Sequence, residues 1–122
     1  MVSITSSHPP LPASGAANQA GSQPQRVLVV DPHATLRTVL AQRLRQDGHL
    51  AAAVATSREA LEVCQEQSPD LLISAELLDE SSALRLAAQL RCSVMVLTAR
   101  TGSEPVVSLL DAGADDVLRK PF

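Results

Sequence analysis

From Arg26 onward, short unbroken apolar runs alternate with stretches in which apolar residues recur every three or four positions. Arg26-Val27-Leu28-Val29-Val30, ending at Asp31-Pro32, reads as a strand buried on both faces. Leu36, Val39, Leu40 and Leu44 have helical spacing, and Asp47-Gly48 supplies the stop. Leu50 to Val54 is a second short strand. Thr56-Ser57-Arg58-Glu59 has the capping-box form and predicts a helix reaching about Gln67, with Ala60, Leu61 and Cys64 facing inward. Ser68-Pro69-Asp70 breaks that helix, and Leu71 to Ala75 forms a third strand. A third helix carries Leu84, Ala87, Ala88 and Leu90. Ser93 to Leu97 is a fourth strand, Pro105 to Ala112 a short helix ended by Gly113, and Val117 to Arg119 a fifth strand.

This alternation predicts an α/β fold, a doubly wound five-stranded parallel sheet with helices on both faces. In such a sheet reactive groups gather at the carboxyl ends of the strands. The residues placed there are Asp31, Ala75-Glu76, Thr98 and Lys120.

Composition narrows the function more than the fold. The chain has 122 residues, one domain's worth, and a single aromatic residue, Phe122. The core is therefore aliphatic, and the lack of aromatics argues against a base-stacking platform for single-stranded nucleic acid. With a net charge of −3 and no clustered basic residues, nothing suggests direct contact with a phosphate backbone. Residues 1–25 contain four of the eight prolines and no Asp, Glu, Lys or Arg, and read as a flexible tail before a domain at 26–122. Cys64 and Cys92 lie far apart in apolar-periodic segments and read as free thiols in the core. No apolar stretch approaches a membrane span or a secretory signal, so a cytoplasmic location without membrane contact is expected. The turn after the first strand, Asp31-Pro32-His33-Ala34, lacks the glycines of a dinucleotide-binding loop. No Ser or Cys sits with His and an acid at a hydrolase spacing, and no enzymatic activity is expected.

Four stretches carry a resemblance. Val27 to Asp31, Ser68-Pro69-Asp70-Leu71, Val96-Leu97-Thr98-Ala99-Arg100, and Gly113-Ala114-Asp115-Asp116 running to Lys120-Pro121-Phe122 resemble the bacterial response-regulator receiver domain. The last stretch looks most like the winged-helix OmpR/PhoB branch. The resemblance implies a flavodoxin/CheY-like sheet in the order 2-1-3-4-5, with the family's last helix absent from this chain. It also implies a role in two-component phosphorelay signalling and transcription regulation. In that family two adjacent acids after the first strand and an Asp ending the third hold Mg²⁺. The third-strand Asp accepts the phosphoryl group, and a Thr or Ser and a Lys contact it.

Matched position by position, the pattern breaks at the chemistry. Asp31 fits the first acid, but Pro32 replaces the second. Thr98 and Lys120 are present. The acceptor position falls on Ala75, six residues after Pro69 and nine before Leu84, so the phosphoacceptor is expected to be absent. A slip of one residue would put Glu76 there, but it would also reverse which face the strand residues occupy. Asp79 stands where the family has a Pro, and Val117 where it has an aromatic switch residue. These departures imply an atypical pseudo-receiver that works without phosphorylation, with weak or absent Mg²⁺ binding. Its residual pocket comprises Asp31, Pro32, Ala75, Glu76, Thr98 and Lys120.

For individual residues the expectations are plain. Asp31 pairs with Lys120 at the strand ends. Thr98 satisfies a backbone group in the following loop. His33 is a surface loop residue, and the Lys120-Pro121 bond is structural. Glu76, Asp79 and Glu80 read as a solvated acidic loop, in preference to a metal cluster, and could equally supply fixed negative charge beside the pocket. In the winged-helix branch the fourth-helix to fifth-strand face, with a fifth helix, forms a two-fold dimer, so the resemblance implies a protein-partner face, including a homodimer, at Leu109, Leu110, Asp111, Asp115, Asp116 and Arg119. The sequence stops where the family's fifth helix would begin. That points to a fragment of a longer regulator whose DNA-binding part lies outside these residues, or to another chain covering the gap. Two alternatives stay open. One is a receiver using Glu76 or Asp79 as an unorthodox acceptor; the other is a sensor admitting a small ligand near Ala75.

Overall fold

The computed structural model describes residues 24–78 and 81–120. The chain alternates strictly: β1 (Arg26–Val30), α1 (Ala34–Gln46), β2 (Leu50–Val54), α2 (Ser57–Val63), β3 (Leu71–Ala75), α3 (Ala83–Leu90), β4 (Ser93–Thr98), α4 (Glu104–Asp111) and β5 (Asp116–Arg119). The five strands form one parallel sheet in the order β2-β1-β3-β4-β5, as expected.

Successive strand residues point to opposite faces, so each strand feeds two cores. Leu28 and Val30 join Leu72, Val94 and Val96 beneath α2, α3 and α4, which contribute Ala60, Val63, Leu86, Leu90 and Leu109. Val27 and Val29 join Ile73 and Leu97 on the opposite face, against Ala41 and the Leu36–Leu40–Leu44 stripe of α1. This double burial explains why β1 reads as a continuous apolar run.

Side-chain caps start three of the helices. His33 Nδ1 accepts the Leu36 N–H, Thr56 accepts the Glu59 N–H, and Ser82 accepts the Arg85 N–H. The capping box at Thr56 forms in part: the Glu59 N–H donates to the Thr56 hydroxyl at 3.1 Å, while Glu59 Oε1 accepts the Ala55 N–H at 3.0 Å rather than that of residue 56. Gly48, at φ 96°, supplies the left-handed turn that ends α1 and returns the chain to β2.

Three details depart from the sequence expectations. The helix after Thr56 stops at Val63 rather than near Gln67, because Gln65-Glu66-Gln67 has no apolar residue to bury and all three are exposed. Leu61 faces outward while Val63 turns in, and Val39, 55% exposed, lies off the buried stripe of α1. Helical spacing alone cannot choose between adjacent apolar positions on a wide stripe. Both thiols are free, Cys64 buried and Cys92 partly so. Burial pushes each up to about 11, which leaves them protonated at neutral pH.

The two helix faces predict different costs. Leu86→Ala, at a fully buried position, should lose about 2–5 kcal/mol of unfolding free energy. Val39→Ala should stay within about 0.5 kcal/mol. Urea denaturation of the two variants checks the assignment, and comparable losses would contradict it.

Candidate functional site

The carboxyl ends of β1, β3, β4 and β5 meet at one edge of the sheet. Val30 pairs with Ser74, Ala75 with Leu97, and Thr98 with Arg119. This register sets Asp31, just beyond β1, level with Ala75, and brings Lys120 just beyond β5. The Lys120 N–H donates to the Thr98 carbonyl at 2.8 Å, which fixes where its side chain starts.

Asp31 has no exposed surface. A carboxylate in that position needs partners within the protein. Its Oδ2 accepts from Lys120 Nζ at 2.7 Å, and its Oδ1 accepts the His33 N–H at 2.8 Å. Its backbone is held as well: the N–H donates to the Val54 carbonyl, and the carbonyl accepts from Arg37 Nη1 at 3.1 Å. The expected Asp31–Lys120 pair is therefore present, bridging the first and last strands across the ends of the middle two. His33, exposed as expected, has a second task as the cap of α1.

Ala75 is the last residue of β3 and is 6% exposed. Its side chain is a methyl group, which offers no oxygen at that strand tip. Glu76 lies one step outside the strand, and its carboxylate goes toward β4. Glu76 Oε1 accepts from the Thr98 hydroxyl at 2.8 Å and from Arg100 Nε at 3.1 Å, while Oε2 accepts from Arg100 Nη2. Thr98, itself fully buried, also accepts the Arg100 N–H at 3.1 Å, the backbone role expected of it. Glu76 is thus tied into the loop after β4 rather than solvated as expected. The parallel pairing of Ala75 with Leu97 puts residue 76 beside residue 98. Asp79, Glu80 and Pro121 lie outside the described residues.

This donor set does not suit a divalent cation that prefers six oxygen ligands. Asp31 is the one carboxylate at the first-strand end, and both its oxygens already take hydrogen bonds. Pro32 and Ala75 carry no side-chain oxygen. Among the described residues, no group of three or more His, Cys, Asp or Glu side chains is placed to hold a metal ion.

The residue pattern is that of a known family: residues 27–122 match the response regulator receiver domain. The chain belongs to that family. It is 40% identical over 102 residues to the virulence transcriptional regulatory protein PhoP of Salmonella typhimurium, covering 80% of this chain and 46% of PhoP. It is 36% identical over 104 residues to the response regulator MprA of Mycolicibacterium vanbaalenii, covering 81% of this chain and 45% of MprA. The chain thus spans about half the length of these relatives. Among solved structures it resembles the chemotaxis response regulator CheY4 of Vibrio cholerae, with 25% identity, a TM-score of 0.71, and coverage of 82% of this chain and 89% of that one. A response regulator from Chloroflexus aurantiacus aligns at 30% identity and a TM-score of 0.70, covering 82% and 88%. No helix among the described residues is long and apolar enough to cross a membrane.

The α4–β5 face is only partly as expected. Leu109 is 7% exposed and belongs to the core beneath α4, so it is removed from the candidate interface. Leu110, Asp111, Asp115, Asp116 and Arg119 are exposed, and Val107 and Leu118 join them. Asp115 also has an internal task, since its Oδ2 accepts the Val94 N–H at 2.8 Å at the start of β4. Arg119 Nη2 donates to the Gly102 carbonyl at 2.6 Å.

Removing the cation from the buried pair should be costly, because Asp31 is left inside with an uncompensated charge. Lys120→Met is expected to lose about 2–4 kcal/mol in chemical denaturation. Lys120→Met combined with Asp31→Asn should recover part of that loss. A single-variant cost under about 1 kcal/mol would show that the pair is not held as described.

Proposed function

We propose that this domain is an atypical receiver that transmits its signal through protein contacts without being phosphorylated. The observation that carries the reading is Ala75, a methyl group at the strand tip where the receiver family places its phosphoacceptor Asp. Two features support it. Lys120, the family's phosphoryl-pairing cation, is committed to Asp31, and Pro32 leaves that carboxylate without its acidic neighbour. The same features favour weak or absent Mg²⁺ binding, and no step of catalysis is assigned to this chain.

In this reading the output is a surface. The exposed Val107, Leu110 and Leu118, flanked by Asp111, Asp116 and Arg119, offer an apolar centre with charges around it. A self-complementary face of this kind suits a second copy of the chain as partner. Relatives described as transcriptional and DNA-binding regulators favour a role in transcription regulation, with DNA contacted only through a region outside these residues. A cytoplasmic site of action accompanies that role.

Incubation with a small phosphodonor and Mg²⁺, read by intact mass, tests the proposal. No adduct is expected. A stoichiometric phosphate adduct would overturn it, and peptide mapping to Glu76 or Asp79 would identify the acceptor used instead.

A further inference from the structure

We propose that Glu76 is an internal ligand that locks the loop between β4 and α4, and so sets the position of α4. Unlike the three helices before it, α4 starts without a side-chain cap: Ser103 has helical backbone angles and makes no capping hydrogen bond. The helix has eight residues and buries only Leu109 fully. So short an element, with so little buried area, does not hold its own position. Its entrance is held by side chains from elsewhere in the fold. Arg100 is gripped by Glu76, and the Gly102 carbonyl accepts from Arg119 on β5.

Glu76 is well placed to act as the anchor. Its N–H donates to the Leu97 carbonyl at 2.9 Å, and its own carbonyl accepts the Ala83 N–H at 3.1 Å, so its backbone is fixed between β4 and α3. Its carboxylate takes three donors: the Thr98 hydroxyl and two guanidinium N–H groups in a forked arrangement. An ordinary surface ion pair contributes little. This one differs in that the Glu76 side chain is only 19% exposed and one of its donors is the fully buried Thr98. Thr98 closes the unit by accepting the Arg100 N–H. The unit therefore fixes both the side chain and the backbone of Arg100. Releasing it frees the loop over residues 99–103, and the exposed Val107 and Leu110 of α4 lose their fixed placement. The lock requires the Glu76 carboxylate to be unmodified, and peptide mapping in the phosphodonor experiment reads that separately.

Hydrogen–deuterium exchange of the whole chain, read by mass spectrometry, tests the lock. Native protein, Glu76→Ala, Arg100→Ala and the double variant are compared, with the β1 amides as an internal reference. Each single variant should speed exchange over residues 99–112 by about five- to ten-fold relative to β1. The double variant should add little, because both substitutions remove the same unit. If substitution loosens β1 as well, raising NaCl from about 0.05 to about 0.5 M on the native protein decides, since screening weakens the half-exposed Arg100 side of the lock. Faster exchange over 99–112 alone then supports it. Exchange over 99–112 that ignores both substitution and salt, or single-variant effects that simply add, would overturn it.

Discussion

A carboxylate with no exposed surface sits at the carboxyl edge of this sheet, and much of that edge follows from how its charge is met. Asp31 has two oxygens, and the fold supplies the Lys120 ammonium for one and the His33 N–H for the other. The first bond joins the ends of β1 and β5 across β3 and β4. The second shapes the turn into α1, where His33 caps the helix. The desolvation cost of such a pair is offset only by close geometry and by filling the remaining lone pairs. Here the chain itself supplies the close geometry and one donor for each carboxylate oxygen.

The same economy recurs beside it. Glu76 stands next to a strand tip that ends in a methyl group, and its charge is met by Thr98 and Arg100. The two hydrogen-bonding side chains that a receiver would direct at a phosphoryl group, Thr98 and Lys120, are thus each engaged by a carboxylate of this chain. Both side chains are held by contacts within the chain, which is the basis of the proposed phosphorylation-independent reading. Such contacts stabilise one arrangement of the edge, and they couple it to the loop and helix that present the exposed apolar residues of α4.

Much of the architecture was legible in the sequence because burial and periodicity coincide there. Strands sealed on both faces appear as unbroken apolar runs, and the Thr56 box and Gly48 mark a helix start and a helix end. The end of β3 at Ala75 followed from the apolar run after Ser68-Pro69-Asp70. What escaped the sequence reading depends on choices among near-equivalent positions. Val39 and Leu61 share the spacing of their buried neighbours, and only packing decides which of them turns out. Leu109 and Leu110 are adjacent on α4, yet one lies in the core and the other outside. Glu76 read as part of a solvated acidic loop because its partners, Thr98 and Arg100, are more than twenty positions away. The parallel register of β3 and β4 is what brings them together.

Asp31 meets the Lys120 ammonium and the His33 N–H within the chain, and the proposal of weak or absent Mg²⁺ binding rests on that pairing. Titration of Mg²⁺ into the native protein, followed through the amide resonances of Asp31, Ala75 and Thr98, tests it most directly. No saturable shift is expected at millimolar Mg²⁺. A saturable response centred on Asp31, with displacement of the Lys120 ammonium, would contradict it.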